Sequence, residues 1–198
     1  LLGINWLIFL GVLGATLPLL LEERIGETIH VVGMLIPLAT FTGALTASNQ
    51  VLSLIASPLA GWLSDYSHQR WGLVIVALLL GILATGLTAA GNGIVIVSST
   101  MIAAIATSVL QTQVMTLVGD YTLTQQRGRV LGILNTVGDI GSAAGPLLAY
   151  ALLPTLTLAG IFWIATGLLV LVLPWTIWIT RQETHLLYPA NAPVNLPG

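Results

Sequence analysis

Apolar runs of about 20 residues, parted by short stretches rich in charge or in Gly, Asn and Pro, recur along the whole chain. At ~1.5 Å rise per residue each run can cross a ~30 Å hydrocarbon core. The pattern predicts six membrane helices near residues 3–21, 37–63, 71–91, 93–119, 128–153 and 157–180. Ala90-Gly91-Asn92-Gly93 reads as a tight turn between the third and fourth. Merging neighbouring helices would bury that turn, or the polar stretch from Asp65 to Arg70, in lipid that cannot satisfy its backbone groups. The loop LEERIGETIH after the first helix is the most acidic, and VVGMLIP following it is expected to form a short interfacial piece. Residues 181–198 are Pro- and Asn-rich and read as a disordered tail, while the apolar start at Leu1 reads as a cut from a longer polypeptide.

Polar positions inside the runs sort the helices into two kinds. Asn, Gln and Asp occur within the first, second, fourth and fifth, and not within the third or sixth. Four helices are therefore expected to face something polar and two to face lipid. In the second helix Thr42, Thr46, Asn49 and Ser53 follow i, i+4, i+7, i+11, a single stripe on a helix, with Gln50 beside it. The fifth repeats that spacing with Asn135, Asp139, Ser142 and Pro146. Its glycines Gly138, Gly141 and Gly145 occupy another face roughly a quarter turn away, where small residues let a neighbouring helix approach. Ser108, Gln111 and Thr112 cluster more loosely in the fourth.

Composition supports the bilayer: 56% of residues are hydrophobic and 6% charged, against about a quarter charged in soluble domains. A net charge of −2 without a basic run excludes nucleic acid as a partner. With no cysteine there is no disulfide, thiolate nucleophile or thiolate metal site, and without lysine no phosphate-binding Walker A loop. No metal or other cofactor is expected. Alternating helices put Arg70, Arg127, Arg129 and Arg181 on one side of the membrane and Arg24 on the other, so both termini are expected to be cytoplasmic. Trp6, Trp62, Trp71, Trp175 and Trp178 fall at that same interface. Asp139 alone among the charged residues lies deep in an apolar run, ~15 Å beyond Arg129 at ~1.5 Å per residue. A carboxyl at mid-membrane costs roughly 2.5–3.5 kcal/mol to insert, which marks it as a functional candidate. The candidate solute- or ion-binding set is Asp139, Asn135, Ser142, Thr46, Asn49, Gln50 and Gln111.

The loop Gly61-Trp62-Leu63-Ser64-Asp65-Tyr66-Ser67-His68-Gln69-Arg70 resembles the signature G-x-x-x-D-[RK]-x-G-[RK]-[RK] of the major facilitator superfamily, matching at Gly61, Asp65 and Arg70 and departing at Tyr66, His68 and Gln69. A second block, Asp120, Arg127-Gly128-Arg129, Gly132, Gly141, Gly145 and Pro146, resembles the family's segment joining the fourth and fifth helices. The resemblance covers residues 1–180 and implies an all-α membrane protein: six helices in two three-helix repeats, forming one half-bundle. It also implies a second, N-terminal half of the same polypeptide facing this one across a central cavity. The degenerate loop and the short tail place this chain as the C-terminal half. Gly61, Asp65, Arg70, Asp120, Arg127 and Arg129 then read as a cytoplasmic gate.

Secondary transport of a small solute by alternating access, coupled to a proton or another ion by symport or antiport, is the function expected. The alternative is a degenerate half serving as a membrane scaffold or assembly subunit. An enzyme is not expected: Gly141-Ser142-Ala143-Ala144-Gly145 sets its serine at the wrong offset for an intramembrane protease, and His30, His68 and His185 lie outside the predicted helices. A six-helix channel is set aside because paired Asn-Pro-Ala half-helices are missing.

Overall fold

The structure, a computed structural model, describes residues 1–26, 28–31, 34–67 and 70–187. Its first rod is continuous from Leu2 to Ile25: α1 (Leu2–Trp6), a π-helical segment (Leu7–Leu13) and α2 (Gly14–Ile25). Then follow α3 (Leu38–Ser67), α4 (Arg70–Ala90), α5 (Gly93–Tyr121), α6 (Arg127–Leu152) and α7 (Leu158–Leu187). These boundaries fall close to the expected ones, except that α7 continues past residue 180 and carries His185 within it. The tail from 188 lies outside the described residues.

The described chain is all-helical, as expected, but for one short strand pair. Between α2 and α3, β1 (Thr28–Val31) pairs antiparallel with β2 (Met34–Pro37), in a register that sets Thr28 opposite Pro37 and Ile29 opposite Ile36. Two short β-branched and apolar runs only two residues apart in sequence favour strand pairing. Gly26 ends α2 with φ +96, a left-handed conformation that a side chain would resist.

Among the described residues, four segments are long and apolar enough to cross a membrane: Leu2–Ile25, Arg70–Ala90, Gly93–Tyr121 and Leu158–Arg181. α3 and α6 have the length, at 30 and 26 residues, but carry Asn49 and Gln50 or Asn135 and Asp139 near their middles. The residues that make them candidate functional helices are the ones that lower their hydropathy.

α4 packs between α5 and α7, and the first rod completes the core with buried Ile8, Leu20 and Leu21 against Val74, Ile96 and Phe162. Hydroxyl pairs stitch these helices: Thr88 and Ser99 lie 2.7 Å apart, and Thr166 donates to Thr85 at 2.9 Å. Such bonds contribute about 0.6 kcal/mol each in membranes, so they orient helices more than they stabilise them. The turn before α5 is closed by Asn92, whose side chain accepts from the Val95 N–H at 3.2 Å, satisfying one of the helix's free donors.

α6 meets the first rod along its glycines. A Cβ on Gly145 would sit 2.5 Å from the Gly11 Cα and 2.6 Å from the Leu7 carbonyl oxygen. One on Gly138 would collide with the Trp6 ring, and one on Gly141 with the Gly3 carbonyl. The expected packing face is therefore real, and its partner is the α1 and π-helical part of the first rod. Gly61, Gly128 and Gly132 have open space where a Cβ would be.

Candidate functional site

A cavity of about 700 Å³ opens between the first rod, α3 and α5. Its polar wall comes from α3, where Thr46, Asn49, Gln50, Ser53 and Ser57 face it along the expected stripe. Thr42, at the head of that stripe, is instead buried and donates to the Leu38 carbonyl at 2.9 Å. α5 contributes Thr100, Thr107, Ser108 and Gln111. The apolar floor is Phe9, Leu10 and Leu13 of the π-helical segment with Leu17 below. π-Helical turns are rare and frequently occur at functional sites. Here the segment lies between the glycine contact with α6 on one side and the cavity on the other.

Three of the cavity's six hydroxyls are already committed: Thr46 donates to the Thr42 carbonyl at 2.8 Å, Ser53 to the Ala104 carbonyl at 3.4 Å and Thr100 to the Val97 carbonyl at 2.8 Å. Two other oxygens are buried yet unpaired. Asn49 Oδ1 and Thr107 Oγ1 are buried and have no hydrogen-bond partner among the described residues. A buried polar atom left unpaired costs about 1–3 kcal/mol, so the Asn49 oxygen calls for a donor and the Thr107 hydroxyl for a donor or an acceptor.

Asn135, Asp139 and Ser142 do not join this cavity. Asn135 and Asp139 are exposed on the face of α6 turned away from the first rod, and Ser142 is half-buried. The Ser142 hydroxyl donates to the Asp139 backbone carbonyl at 2.9 Å, leaving the carboxylate uninvolved in that bond. The binding set thus divides between a cavity wall holding Thr46, Asn49, Gln50 and Gln111 and an open α6 stripe holding the acid.

The charged set divides as well. Arg70 at the start of α4 pairs with Asp120 near the end of α5 and lies 3.7 Å from Asp65 near the end of α3. Both acids sit at helix C-termini and the arginine at an N-terminus, each unfavourable for its own helix dipole. Helix stability does not account for that placement, whereas a three-helix tie does. Arg127 and Arg129 are exposed; Arg127 Nε donates to the Thr122 carbonyl at 3.2 Å, and neither forms an ion pair with Asp65 among the described residues. Gly61 precedes this cluster with open space around it.

Two residues were missed by the polar-stripe reasoning. Gln113 is wholly buried; it accepts from the Ser64 hydroxyl at 2.8 Å and donates to the Ala60 carbonyl at 3.0 Å, clamping the end of α3 to α5. Its position two residues beyond Gln111 puts it on the opposite face of the helix, so no stripe drew attention to it. Thr107 was legible in principle: Thr100, Ala104, Thr107 and Gln111 repeat the i, i+4, i+7, i+11 spacing of α3, and alanine at the second position hid it.

A search of curated proteins finds no match to the chain. The family model of the Major Facilitator Superfamily matches residues 3–195. With its apolar membrane helices and that match, the chain belongs to the Major Facilitator Superfamily, a family of transmembrane solute transporters.

Proposed function

We propose that the chain is the C-terminal six-helix half of a secondary transporter that carries a small solute by alternating access, coupled to a proton or another ion. The cavity of about 700 Å³ with its polar wall on α3 and α5 is the observation that carries this reading. In it α3 and α6 cross the membrane with the four more apolar segments, and their uncovered faces turn toward an N-terminal half of the same polypeptide. Val51, Leu54 and Ile55 on α3 and Ile140 and Leu147 on α6, each at least half exposed, support that placement. Departures from the family's loop signature at Tyr66, His68 and Gln69 favour the second half over the first.

Roles follow from position. The cavity wall of Thr46, Asn49, Gln50 and Gln111 binds the solute. Asp139, separate from it, is the coupling acid, and Asn135 and Ser142 support it. Arg70 with Asp65 and Asp120 forms the cytoplasmic latch, with Gly61 in the loop before it; it holds the bundle closed on that side until solute and ion are bound. Arg127 and Arg129 stand at the same end to meet the opposing half. Both termini are cytoplasmic in a plasma or inner membrane. Stacked Trp62 and Tyr66 and the Trp175–Trp178 pair, all exposed near that end, support the orientation.

The test is uptake into proteoliposomes holding the full-length protein, with and without an imposed proton gradient. Gradient-dependent accumulation of at least one solute is expected. Absence of accumulation or exchange for every solute under every gradient would overturn the reading in favour of a non-transporting scaffold.

A further inference from the structure

We infer that the solute is uncharged and rich in hydroxyl or amide N–H donors, an inference that rests on the transport reading above. Among the described residues no ionisable side chain lines the cavity. The ionic cluster of Asp65, Arg70 and Asp120 lies outside its lining, and so does Asp139. A charged solute moving onto this wall would lose water without meeting a counter-charge from this half, and desolvation of an unpaired ion far exceeds that of a hydroxyl.

A neutral polar solute meets what the wall offers. Asn49 Oδ1 on α3 and Thr107 Oγ1 on α5 are buried oxygens without partners among the described residues, on two packed helices that both line the cavity. A ligand bearing two separated donors would satisfy both, while Gln50 and Gln111 supply amides that donate as well as accept. Phe9, Leu13 and Leu17 give its carbon skeleton an apolar surface to lie on. Mixed apolar walls with a few convergent polar groups are the usual character of small-molecule sites. The acid on α6 is then left to couple rather than to recognise.

The experiment uses the full-length transporter in proteoliposomes with sorbitol, glucose and N-acetylglucosamine as neutral probes, glutarate as an anion and choline as a cation. At least one neutral probe should be carried, with glutarate and choline neither carried nor competing. Asn49→Ala and Thr107→Val should each raise KM about tenfold, the effect of one lost bond to a buried group. Thr107→Ser, which keeps the hydroxyl, should retain wild-type KM. Monodisperse elution of each variant in detergent separates lost binding from lost folding. Carriage of glutarate or choline in preference to the neutral probes would overturn this inference and leave the transport reading standing. Unchanged KM in both Asn49→Ala and Thr107→Val would overturn it as well, whereas no accumulation of any probe would count against transport itself.

Discussion

Gly145 and Asp139 act through different physics on α6. At Gly145 the backbone of the first rod fills the space a methyl would need, so Gly145→Ala must push α6 outward. We expect a loss of about 1–3 kcal/mol, read as a lower midpoint of thermal unfolding in detergent. Gly132→Ala, on the same helix but facing open space, should be neutral or stabilising by up to ~1 kcal/mol through helix propensity. Equal destabilisation at both positions would show that the seam does not hold α6. Asp139 is exposed, and the bond from Ser142 goes to its main chain. Asp139→Asn should therefore change stability by less than about 0.5 kcal/mol while abolishing gradient-driven uptake and keeping solute exchange. Wild-type accumulation between pH 5 and 8 would reduce Asp139 to a structural polar group. The stripes were legible at this scale because 3.6-residue spacing alone puts side chains on one face. Which stripe meets a cavity was not, since that depends on the neighbouring helix.

Helix ends α3, α4 and α5 converge on Arg70. Arg70→Gln leaves two carboxylates at helix C-termini without a counter-charge, each unfavourable by about 0.3–1 kcal/mol. Because Asp65 and Arg70 are partly in solvent, the ion pairs themselves add little beyond that. A drop of about 1 kcal/mol in unfolding free energy is expected. Arg70→Gln with Asp120→Asn should recover part of it, and strict additivity of the two changes would rule out direct coupling. Gln113 acts next to this tie, holding α3 by hydrogen bonds that salt does not screen. The charged members of the cluster could be named from the loop signature. Their pairing could not, because Arg127 and Arg129 offered the acids equally good cations until the fold set Arg70, at the start of α4, beside the ends of α3 and α5.

The whole bundle is cysteine-free, so its sidedness can be read with single introduced thiols. Leu123, exposed between α5 and α6, lies at the Arg70 end; Glu23 at the end of α2 and Thr155 between α6 and α7 lie at the other. In intact cells expressing the full-length protein, Leu123→Cys should resist an impermeant maleimide, and Glu23→Cys and Thr155→Cys should react. The reverse pattern would invert the orientation. The same surfaces bear on assembly: α3 and α6 expose large aliphatic side chains beside polar ones, the surfaces on which the proposed second bundle would rest.

Residue order by itself determined the membrane class, the helix boundaries to within a few residues save at the end of α7, and the small-residue face of α6. Apolar run length, turn residues and 3.6-residue spacing are local properties that act before any helix meets another. Tertiary structure decided what those faces touch. It put Thr46, Asn49, Gln50 and Gln111 around one cavity and left Asp139 outside it, because α6 turns its glycines to the first rod and its acid away. It also introduced the π-helical turn and the β1–β2 hairpin, which no periodicity announced. Packing partners and ion pairing arise from contacts distant in sequence, and a one-dimensional pattern carries the faces but not the neighbours.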